Sequence, residues 1–320
     1  MNKSDKIINY LGPPETFTEQ AAKSFANDLG GAFSLVPHRT LAQVIAQTAS
    51  EKQWAVIPYY NLLEGLIQES LDLLVEHGLS IFGARQIPVR FAFGGYPASE
   101  DSAGETNVSE SDSMSLKEPV VYSHPKALPQ CSAFLQKNYP NVPLHETSST
   151  VQGVQQVERE RFGFVIARRE ALEKHHIPVL NDDIGNRLYS KHNYTEFLLV
   201  APGSPQNHDL SLMVTPPSLK QLRTFVAIIP TVDHVGLLAD ILGQIAFFGI
   251  NLLKIHSRPA FFDVRGMTPQ LFYLEMDIVA DAPEFRLCME TLNMRLSQKG
   301  ERGDQVVRIL GSYELEAIEA

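Results

Sequence analysis

Short apolar runs alternate with longer amphipathic segments along most of the first two thirds of the chain. The runs WAVIP (54–58) and GFVIA (163–167) are continuously apolar, as strands buried on both faces of a parallel sheet are. Residues 63–76 instead place their apolar side chains at helical spacing. Because short turns separate these units, the alternation predicts an α/β fold built on a parallel-rich sheet.

The composition changes at residues 204–222, which are rich in proline, serine and other polar residues. A chain of 320 residues is long enough for two domains, so we predict a linker here, after a first domain at 5–203. Residues 223–314 then have the order strand, helix, strand, strand, helix, strand, which is the ferredoxin-like βαββαβ pattern. The Ser-, Glu- and Asp-rich residues 97–118 predict a solvated loop, with a regulatory segment as the alternative.

Charge and cysteine content exclude several classes of protein. The net charge is −10 and basic residues do not cluster, so no nucleic-acid partner is expected. Cys131 and Cys288 form neither a disulfide framework nor a metal motif, which fits a reducing cytoplasm. The sequence contains no signal-peptide pattern and no long apolar stretch, so we expect a cytoplasmic protein with no membrane partner.

Hydroxyl-rich turns precede two of the predicted helices. A helix N-terminus has unpaired N–H groups and the positive end of the helix dipole, so it binds carboxylates and phosphates well. Plain N-capping of the helix is the alternative. Polar residues also follow the predicted strand at 119–125, at the end of a strand where ligands bind in parallel sheets, with a structural turn as the alternative. The candidate substrate-binding residues are Thr16, Ser123, His124, Ser148, Ser149 and Thr150.

Two tyrosines and an amide follow the WAVIP strand. Tyr59, Tyr60 and Asn61 either line a polar pocket or pack as half-buried side chains at the rim of the sheet. The sequence has no phosphate-binding glycine loop, no nucleophile elbow and no zinc-ligand spacing. We therefore predict no metal and no cofactor.

Taken in order, these segments resemble the prephenate dehydratase family followed by an ACT regulatory domain. The resemblance implies a two-lobed α/β catalytic domain, periplasmic-binding-protein-like, with the active site in the cleft between the lobes. It also implies prephenate as the substrate, an ACT domain at 223–314, and a homodimer or homotetramer. The stretches that carry it are YLGPPETFTEQAA (10–22), IPYYNLLEG (57–65), VYSHPKALPQC (121–131), ETSST (146–150), NYTEFLLV (193–200), VGLLADIL (235–242), GINLLKIHSRP (249–259) and LGSY (310–313).

The resemblance assigns catalytic roles to Thr195, Asn61 and Gln130, but the sequence departs from the family beside two of them. Glu196 replaces the arginine of the family's Thr-Arg-Phe motif, and Tyr60 replaces the glutamate of its Pro-x-Glu-Asn-Ser motif. A glutamate about 4 Å from a dianionic substrate would turn an attraction into a repulsion, each about 4 kcal/mol at an effective dielectric constant near 20. A dehydratase would tolerate this change only if Glu196 points away from the ligand.

These departures resemble a branch of the same superfamily, the nonaromatising prephenate decarboxylases of secondary metabolism. Such an enzyme releases carbon dioxide and protonates the ring, giving a dihydro-4-hydroxyphenylpyruvate, with Tyr60 as the proton donor or as a wall against the ring. We therefore predict a prephenate decarboxylase. The alternatives are a prephenate dehydratase, which forms phenylpyruvate, carbon dioxide and water, and a non-catalytic protein that senses amino acids through its ACT domain.

The resemblance also implies an effector site in the ACT domain. Family members bind phenylalanine with a Gly-Ala-Leu segment and a Glu-Ser-Arg-Pro segment. Here leucine replaces the alanine and histidine replaces the acid, so we expect weak or altered amino-acid feedback; an ACT domain kept only for assembly is the alternative. The corresponding residues are Gly236, Leu237, Leu238, Asn251, His256, Ser257, Arg258 and Pro259.

Overall fold

A computed structural model describes residues 6–30, 32–97, 118–186, 193–203, 220–259, 270–297 and 306–316. The predicted loop and the predicted linker lie almost entirely outside these ranges, so both stay predictions. Contacts within the chain define two compact units. The first comprises Met1–Leu11, Ala21–Ile87 and Thr195–Ala320, and the second comprises Gly12–Gln20 and Pro88–Tyr194.

The described strands and helices follow each other in the alternating order that the sequence predicts. The strands are β1 (Ile7–Leu11), β2 (Ser34–His38), β3 (Trp54–Asn61), β4 (Gly65–Leu66), β5 (Leu79–Pro88), β6 (Ala92–Tyr96), β7 (Val121–Ser123), β8 (Leu144–Glu146), β9 (Gly163–Ala167), β10 (Val179–Asn181), β11 (Tyr194–Pro202), β12 (Lys220–Ile228), β13 (Leu252–Pro259), β14 (Gln270–Met276) and β15 (Val307–Glu316). The helices are α1 (Phe17–Asp28), α2 (Leu41–Glu51), α3 (Gln68–Glu76), α4 (Ala127–Gln130), α5 (Ser132–Asn138), α6 (Thr150–Glu160), α7 (Arg169–Lys174), α8 (Leu237–Phe247) and α9 (Pro283–Leu296).

The first unit is built on one mixed sheet with the strand order β13-β14-β12-β15-β5-β11-β3-β1-β2, and β4 pairs with β3. Strand β1 lies parallel to both β2 and β3, as the sequence predicts, whereas β11 runs antiparallel to β3. Ile57 and Val56 of β3 are fully buried, because both faces of this strand are covered. The sheet therefore places β3 and β11 side by side near its centre.

The C-terminal part of the first unit has the predicted βαββαβ order. Its strands pair antiparallel as β13-β14-β12-β15, which is the ferredoxin-like arrangement. Helices α8 and α9 bury one apolar stripe each, including Ile241 and Phe285, in a common core with the sheet. Strand β15 also runs parallel to β5 over Leu315 and Glu316, so the ferredoxin-like strands continue the larger sheet.

The second unit has its own sheet, in the order β10-β6-β9-β7-β8. Strands β7, β8 and β9 are parallel, and β6 runs antiparallel to β9. Helix α6 contributes the fully buried Val154 and Val157 to a core that contains Val165 of β9. Together the two α/β units confirm the predicted fold class. Among the described helices, none is both long and apolar enough to cross a membrane.

The predicted helix over 63–76 is wrong over residues 63–67, because only Gln68–Glu76 is helical. The side-chain oxygen of Asn61 accepts hydrogen bonds from the backbone N–H groups of Leu63 and Glu64, which closes a turn in place of a helical start. Gly65 follows with a φ of 81°, in the left-handed region that glycine tolerates. The turn returns the chain to β3 through β4 and so holds Asn61 at the end of the strand.

Candidate active site

Thr195 and Asn61 lie opposite each other on β11 and β3 in the first unit. The Asn61 Nδ2 atom donates a hydrogen bond of 2.9 Å to Thr195 Oγ1. The Asn61 amide has only this orientation available, because its Oδ1 atom accepts from two backbone N–H groups at 3.0 and 3.1 Å. Since Thr195 Oγ1 accepts from an N–H donor, its own proton is directed elsewhere. The pair therefore presents a threonine hydroxyl as a proton donor.

The register between β3 and β11 shifts immediately beside this pair. Glu196 lies opposite Tyr60, but the next residue of β11, Phe197, lies opposite Pro58. Tyr59 is thus the extra residue of a β-bulge, in which two side chains of one strand face a single residue of the other. The bulge turns Tyr59 and Tyr60 together towards Glu196, on the other face of the sheet from Asn61.

Glu196 lies in a closed, charged cluster and not beside the Thr195 hydroxyl. Its carboxylate is 1% exposed and accepts hydrogen bonds from Tyr59 Oη at 2.5 Å, Lys254 Nζ at 2.6 Å and Gln86 Nε2 at 2.9 Å. Successive side chains of a strand point to opposite faces, so Thr195 and Glu196 are directed apart. The repulsion expected from replacing the family's arginine by glutamate therefore does not arise in this geometry.

A second buried carboxylate, Glu275, joins this cluster together with a second cation, Arg223. Glu275 is 1% exposed and contacts Arg223 at 3.0 Å, Lys254 at 3.1 Å and the Tyr313 hydroxyl at 2.9 Å. Two carboxylates thus face two cations, which offsets the large cost of burying charge. Burial, followed by the charges and hydrogen bonds of the neighbouring groups, raises the pKa of Tyr59 well above its usual value, so its hydroxyl stays a donor to Glu196.

Tyr60, predicted to be a proton donor or a ring-packing wall, contacts the same cluster. The Lys254 ammonium lies 4.2 Å from the centre of the Tyr60 ring, which is a cation–π contact. By strand alternation Tyr60 faces away from Asn61 and Thr195, so the structure brings Asn61 and Thr195 together and places Tyr60 on the opposite face.

In the second unit, the predicted residues after β7 make local contacts. Ser123 is fully buried, and its hydroxyl donates to the Ile166 carbonyl at 2.8 Å, so it joins β7 to β9 and is not exposed to a ligand. His124 Nδ1 accepts from the backbone N–H of Lys126 at 3.2 Å. Gln130, the last residue of α4, accepts through its Oε1 atom from the Nδ2 atom of Asn193 at 2.8 Å.

The hydroxyl groups at the two helix starts act as caps. Ser149 accepts from the backbone N–H of Gln152 at 3.1 Å and is the N-cap of α6, whose first residue is Thr150. Ser148 donates to the Gln152 side chain at 2.7 Å. Thr16 Oγ1 donates to the Pro13 carbonyl at 3.0 Å and lies 3.4 Å from the backbone N–H of Glu19. The capping alternative is therefore confirmed at Ser149, while substrate binding by these residues stays a prediction.

A cation that the sequence pattern does not single out, Arg168, lies beside one of these helix starts. Arg168 follows the last residue of β9; its Nη1 donates to the Thr16 carbonyl at 3.2 Å, and its guanidinium lies 5.0 Å from the centre of the Phe17 ring. Burial lowers the pKa of Arg168 even though Glu170 pairs with it at 3.2 Å. A half-buried guanidinium suits a carboxylate ligand. Its place at the carboxyl end of a buried strand was the available signal.

His175 contacts two acidic side chains of the second unit. Its Nε2 atom lies 2.9 Å from Glu15, and its Nδ1 atom lies 2.7 Å from Glu158. Lys174 also contacts Glu15, at 2.5 Å. Burial works to lower the pKa of His175, but the hydrogen bonds to Glu158 and Glu15 outweigh it, so the net shift is upward from 6.5. Glu15, which directly precedes Thr16 in the chain, has a φ of 72°.

This cluster predicts a pH-dependent contribution to stability. The pKa of His175 is higher in the folded protein than its value of 6.5 in the unfolded chain. Protonated His175 therefore stabilises the fold fully at pH values below 6.5, and this contribution is lost as the pH rises through the folded-state pKa. We expect His175→Gln to cost about 1 kcal/mol near pH 6 and much less near pH 9. Urea unfolding of both proteins at the two pH values measures this. An equal cost at both would show that the charge of His175 does not contribute.

The predicted effector residues lie on β13 and around the start of α8. Gly236 has a φ of 92° and is the N-cap of α8, Leu237 is buried, and Leu238 is partly exposed. His256 Nε2 accepts from Gln68 Nε2 of α3 at 3.0 Å. Arg258 forms an ion pair with Asp72 of the same helix. Asn251, Ser257 and Pro259 are exposed.

The predicted effector residues His256 and Arg258, which alternate along one face of β13, therefore both contact α3. Among the described residues, no group of three or more histidine, cysteine or acidic side chains is arranged to hold a metal ion.

The protein belongs to the class of two-unit α/β proteins. Its first unit contains a threonine–amide pair on adjacent strands and a ferredoxin-like part at its C-terminal end. Comparison with known families then identifies it more closely. The sequence profile of the prephenate dehydratase family matches residues 8–205. This chain belongs to the prephenate dehydratase family, which confirms the family resemblance found in the sequence.

Several known proteins are similar over almost the whole chain. A prephenate dehydratase of Bacillus subtilis is 28% identical over 96% of this chain and 98% of its own length. A bifunctional chorismate mutase/prephenate dehydratase of Aquifex aeolicus is also 28% identical, over 96% of this chain and 73% of the relative. The crystal structure of a prephenate dehydratase in complex with L-Phe from Arthrobacter aurescens superposes with a TM-score of 0.72, at 25% identity, over 96% of this chain and 89% of that one.

Proposed function

We propose that this protein is a prephenate dehydratase, which converts prephenate to phenylpyruvate, carbon dioxide and water. The observation that carries the proposal is the Asn61–Thr195 hydrogen bond, which leaves the threonine proton to be donated. The names of the relatives support the same reaction. Sequence analysis placed this reaction second, behind nonaromatising decarboxylation.

The proposed reaction needs one proton donor at the leaving hydroxyl of prephenate. When the ring carboxylate leaves as carbon dioxide, the electrons of its C–C bond enter the ring, and the C–O bond on the opposite side breaks. Hydroxide is a poor leaving group, so it must take up a proton as it departs. Thr195 donates that proton, and the N–H of Asn61 stabilises the negative charge that develops on Thr195 Oγ1. The electron pair leaves with the departing oxygen, so the step needs no separate electron acceptor.

The two arguments for decarboxylation without aromatisation lose their basis in this geometry. The first was repulsion between Glu196 and the substrate, but Glu196 contacts Lys254 and Tyr59. The second was proton donation to the ring by Tyr60, whose ring contacts Lys254. Thr195 and Asn61, by contrast, hold the donor that loss of hydroxide requires.

We further propose that residues 223–314 form an ACT domain and that phenylalanine is its effector. The ferredoxin-like order of this part is consistent with the proposal. A relative of the same fold binds L-Phe. Leu237 and His256 replace smaller and acidic residues, so we expect weaker feedback than the family resemblance implies. A homodimer or homotetramer stays a prediction.

The test is to incubate the purified protein with prephenate and to follow ultraviolet absorbance and product mass. We expect phenylpyruvate, with both carbon dioxide and water lost. A product that has lost only carbon dioxide would overturn the proposal in favour of a decarboxylase. Prephenate that is bound but not consumed would instead indicate the non-catalytic binding protein.

A further inference from the structure

One lysine of the ferredoxin-like part, Lys254, contacts Glu196 and both tyrosines of the bulge. Lys254 Nζ lies 2.6 Å from Glu196 and 2.8 Å from the Tyr59 hydroxyl. It also lies 4.2 Å from the centre of the Tyr60 ring and 3.1 Å from Glu275. Lys254 belongs to β13, whereas the bulge belongs to β3 and β11, so this contact joins two distant parts of the same unit.

The bulge determines which residue lies opposite Thr195. With Tyr59 as the extra residue, Thr195 pairs with Asn61. If the bulge were absent and the pairing of Phe197 with Pro58 were kept, Glu196 would lie opposite Tyr59 and Thr195 opposite Tyr60. A one-residue change of register moves side chains to the other face of a strand. The Asn61 amide would then lose its contact with the Thr195 hydroxyl.

We propose that Lys254 and Glu196 are positioning residues that fix this bulge and thereby hold Asn61 on Thr195. The proposal rests on the proposed role of Thr195 as the proton donor. Glu196 accepts from Tyr59, the bulged residue, and Lys254 holds Glu196 and both tyrosines together. Glu196, which departs from the family motif, thus acts on the face of the sheet opposite the proposed substrate site. Its partner, Lys254, comes from the ferredoxin-like part.

Lys254→Met removes the ammonium and keeps most of the side-chain volume. We expect kcat to fall about 10- to 100-fold, because small displacements of a catalytic group cost rate on that scale, with KM changed less than about twofold. Amide exchange should become faster at residues 59–61 and 195–197. The double variant Glu196→Gln with Lys254→Met should be no faster than Lys254→Met, because the two side chains act through one contact and neither then fixes the bulge.

Glu316→Gln is the matched control. Glu316 is also a charged residue of the ferredoxin-like part, and it pairs with the buried Arg85 of β5. Strand alternation directs Arg85 to the face of β5 opposite Gln86, the residue that contacts Glu196. We expect it to lower the melting temperature while kcat and amide exchange at the bulge stay unchanged. If Lys254→Met and Glu316→Gln reduce kcat in proportion to their loss of stability, Lys254 is only structural and the proposal is overturned.

Two readouts separate this proposal from the proposed function. Consumption of prephenate is measured whatever the product, and amide exchange at the bulge needs no turnover. Faster exchange in Lys254→Met would support the positioning role even if the wild-type product were not phenylpyruvate. Unchanged exchange and unchanged kcat would overturn it even if the wild-type protein were a dehydratase. If Lys254→Met does not fold, the double variant Glu196→Gln with Lys254→Met decides, because it removes the Glu196 charge together with that of Lys254. We expect it to have a lowered kcat and faster exchange at the bulge, and a folded double variant with wild-type kcat and exchange contradicts the proposal.

Discussion

Thr195→Val should lower kcat about 1,000-fold and leave KM nearly unchanged, because a positioned general acid contributes about 10²- to 10⁴-fold to rate. Valine has almost the same shape as threonine but no proton to give to the departing hydroxide. The substitution also leaves the Asn61 amide without its acceptor at 2.9 Å, which should cost about 1–3 kcal/mol of stability. Steady-state kinetics with prephenate and urea unfolding measure the two effects separately.

A second threonine in the same unit provides a matched control for that experiment. Thr48 Oγ1 accepts from Asn9 Nδ2 at 3.3 Å and donates to the Val44 carbonyl at 2.7 Å, and it is fully buried. Thr48→Val should therefore cost stability on a similar scale while kcat stays near wild type. Thr195→Ser, which restores the hydroxyl, should recover most of the activity. A Thr195→Val enzyme within about tenfold of wild type would exclude Thr195 as the general acid.

Glu275→Gln should lower the free energy of unfolding by about 3–5 kcal/mol, the usual cost of breaking a buried ion pair on one side. The amide cannot balance the two cations that contact Glu275, Arg223 at 3.0 Å and Lys254 at 3.1 Å. Tyr313, Arg223 and Lys254 all donate to the Glu275 carboxylate. The NH₂ group of the substituted glutamine would therefore face another donor in place of an acceptor. Urea or thermal unfolding near pH 7 measures the loss.

An exposed ion pair supplies the control for Glu275→Gln. Glu173 pairs with Arg169 at 2.7 Å, and both side chains are about half exposed. Glu173→Gln should cost less than about 1 kcal/mol, because water screens the pair. A comparable loss in both variants would contradict the view that burial makes the Glu275 cluster strong.

The loss of unfolding free energy in Glu275→Gln should also depend on pH. Burial works to raise the pKa of Glu275, but the charges of Lys254 and then Arg223 outweigh it, so the net shift is downward from 4.5. A lowered folded-state pKa stabilises the fold above the unfolded value and loses this contribution as the pH falls through the folded value. The difference between wild type and Glu275→Gln should therefore be full at neutral pH and shrink in acid.

Sequence patterns were sufficient for the elements but not for the polar contacts of the site. The apolar runs at 54–58 and 163–167 lie in strands, because burial acts over a few neighbouring residues. The helix predicted from residue 63 fails because one side chain, Asn61, closes a turn that periodicity does not reveal. Arg168 escaped notice because its value as a site residue depends on contacts with residues far away in the chain.

The sequence by itself determined the α/β class, the ferredoxin-like order of the C-terminal part, the family, and Thr195 with Asn61 as its retained polar pair. Only the tertiary structure decided what Glu196 and Tyr60 contact. Strand alternation directs both side chains away from Thr195 and Asn61, but a single bulged residue, Tyr59, breaks that alternation and contacts Glu196. The charge that holds Glu196 comes from Lys254, 58 residues along the chain, and only folding brings the two together.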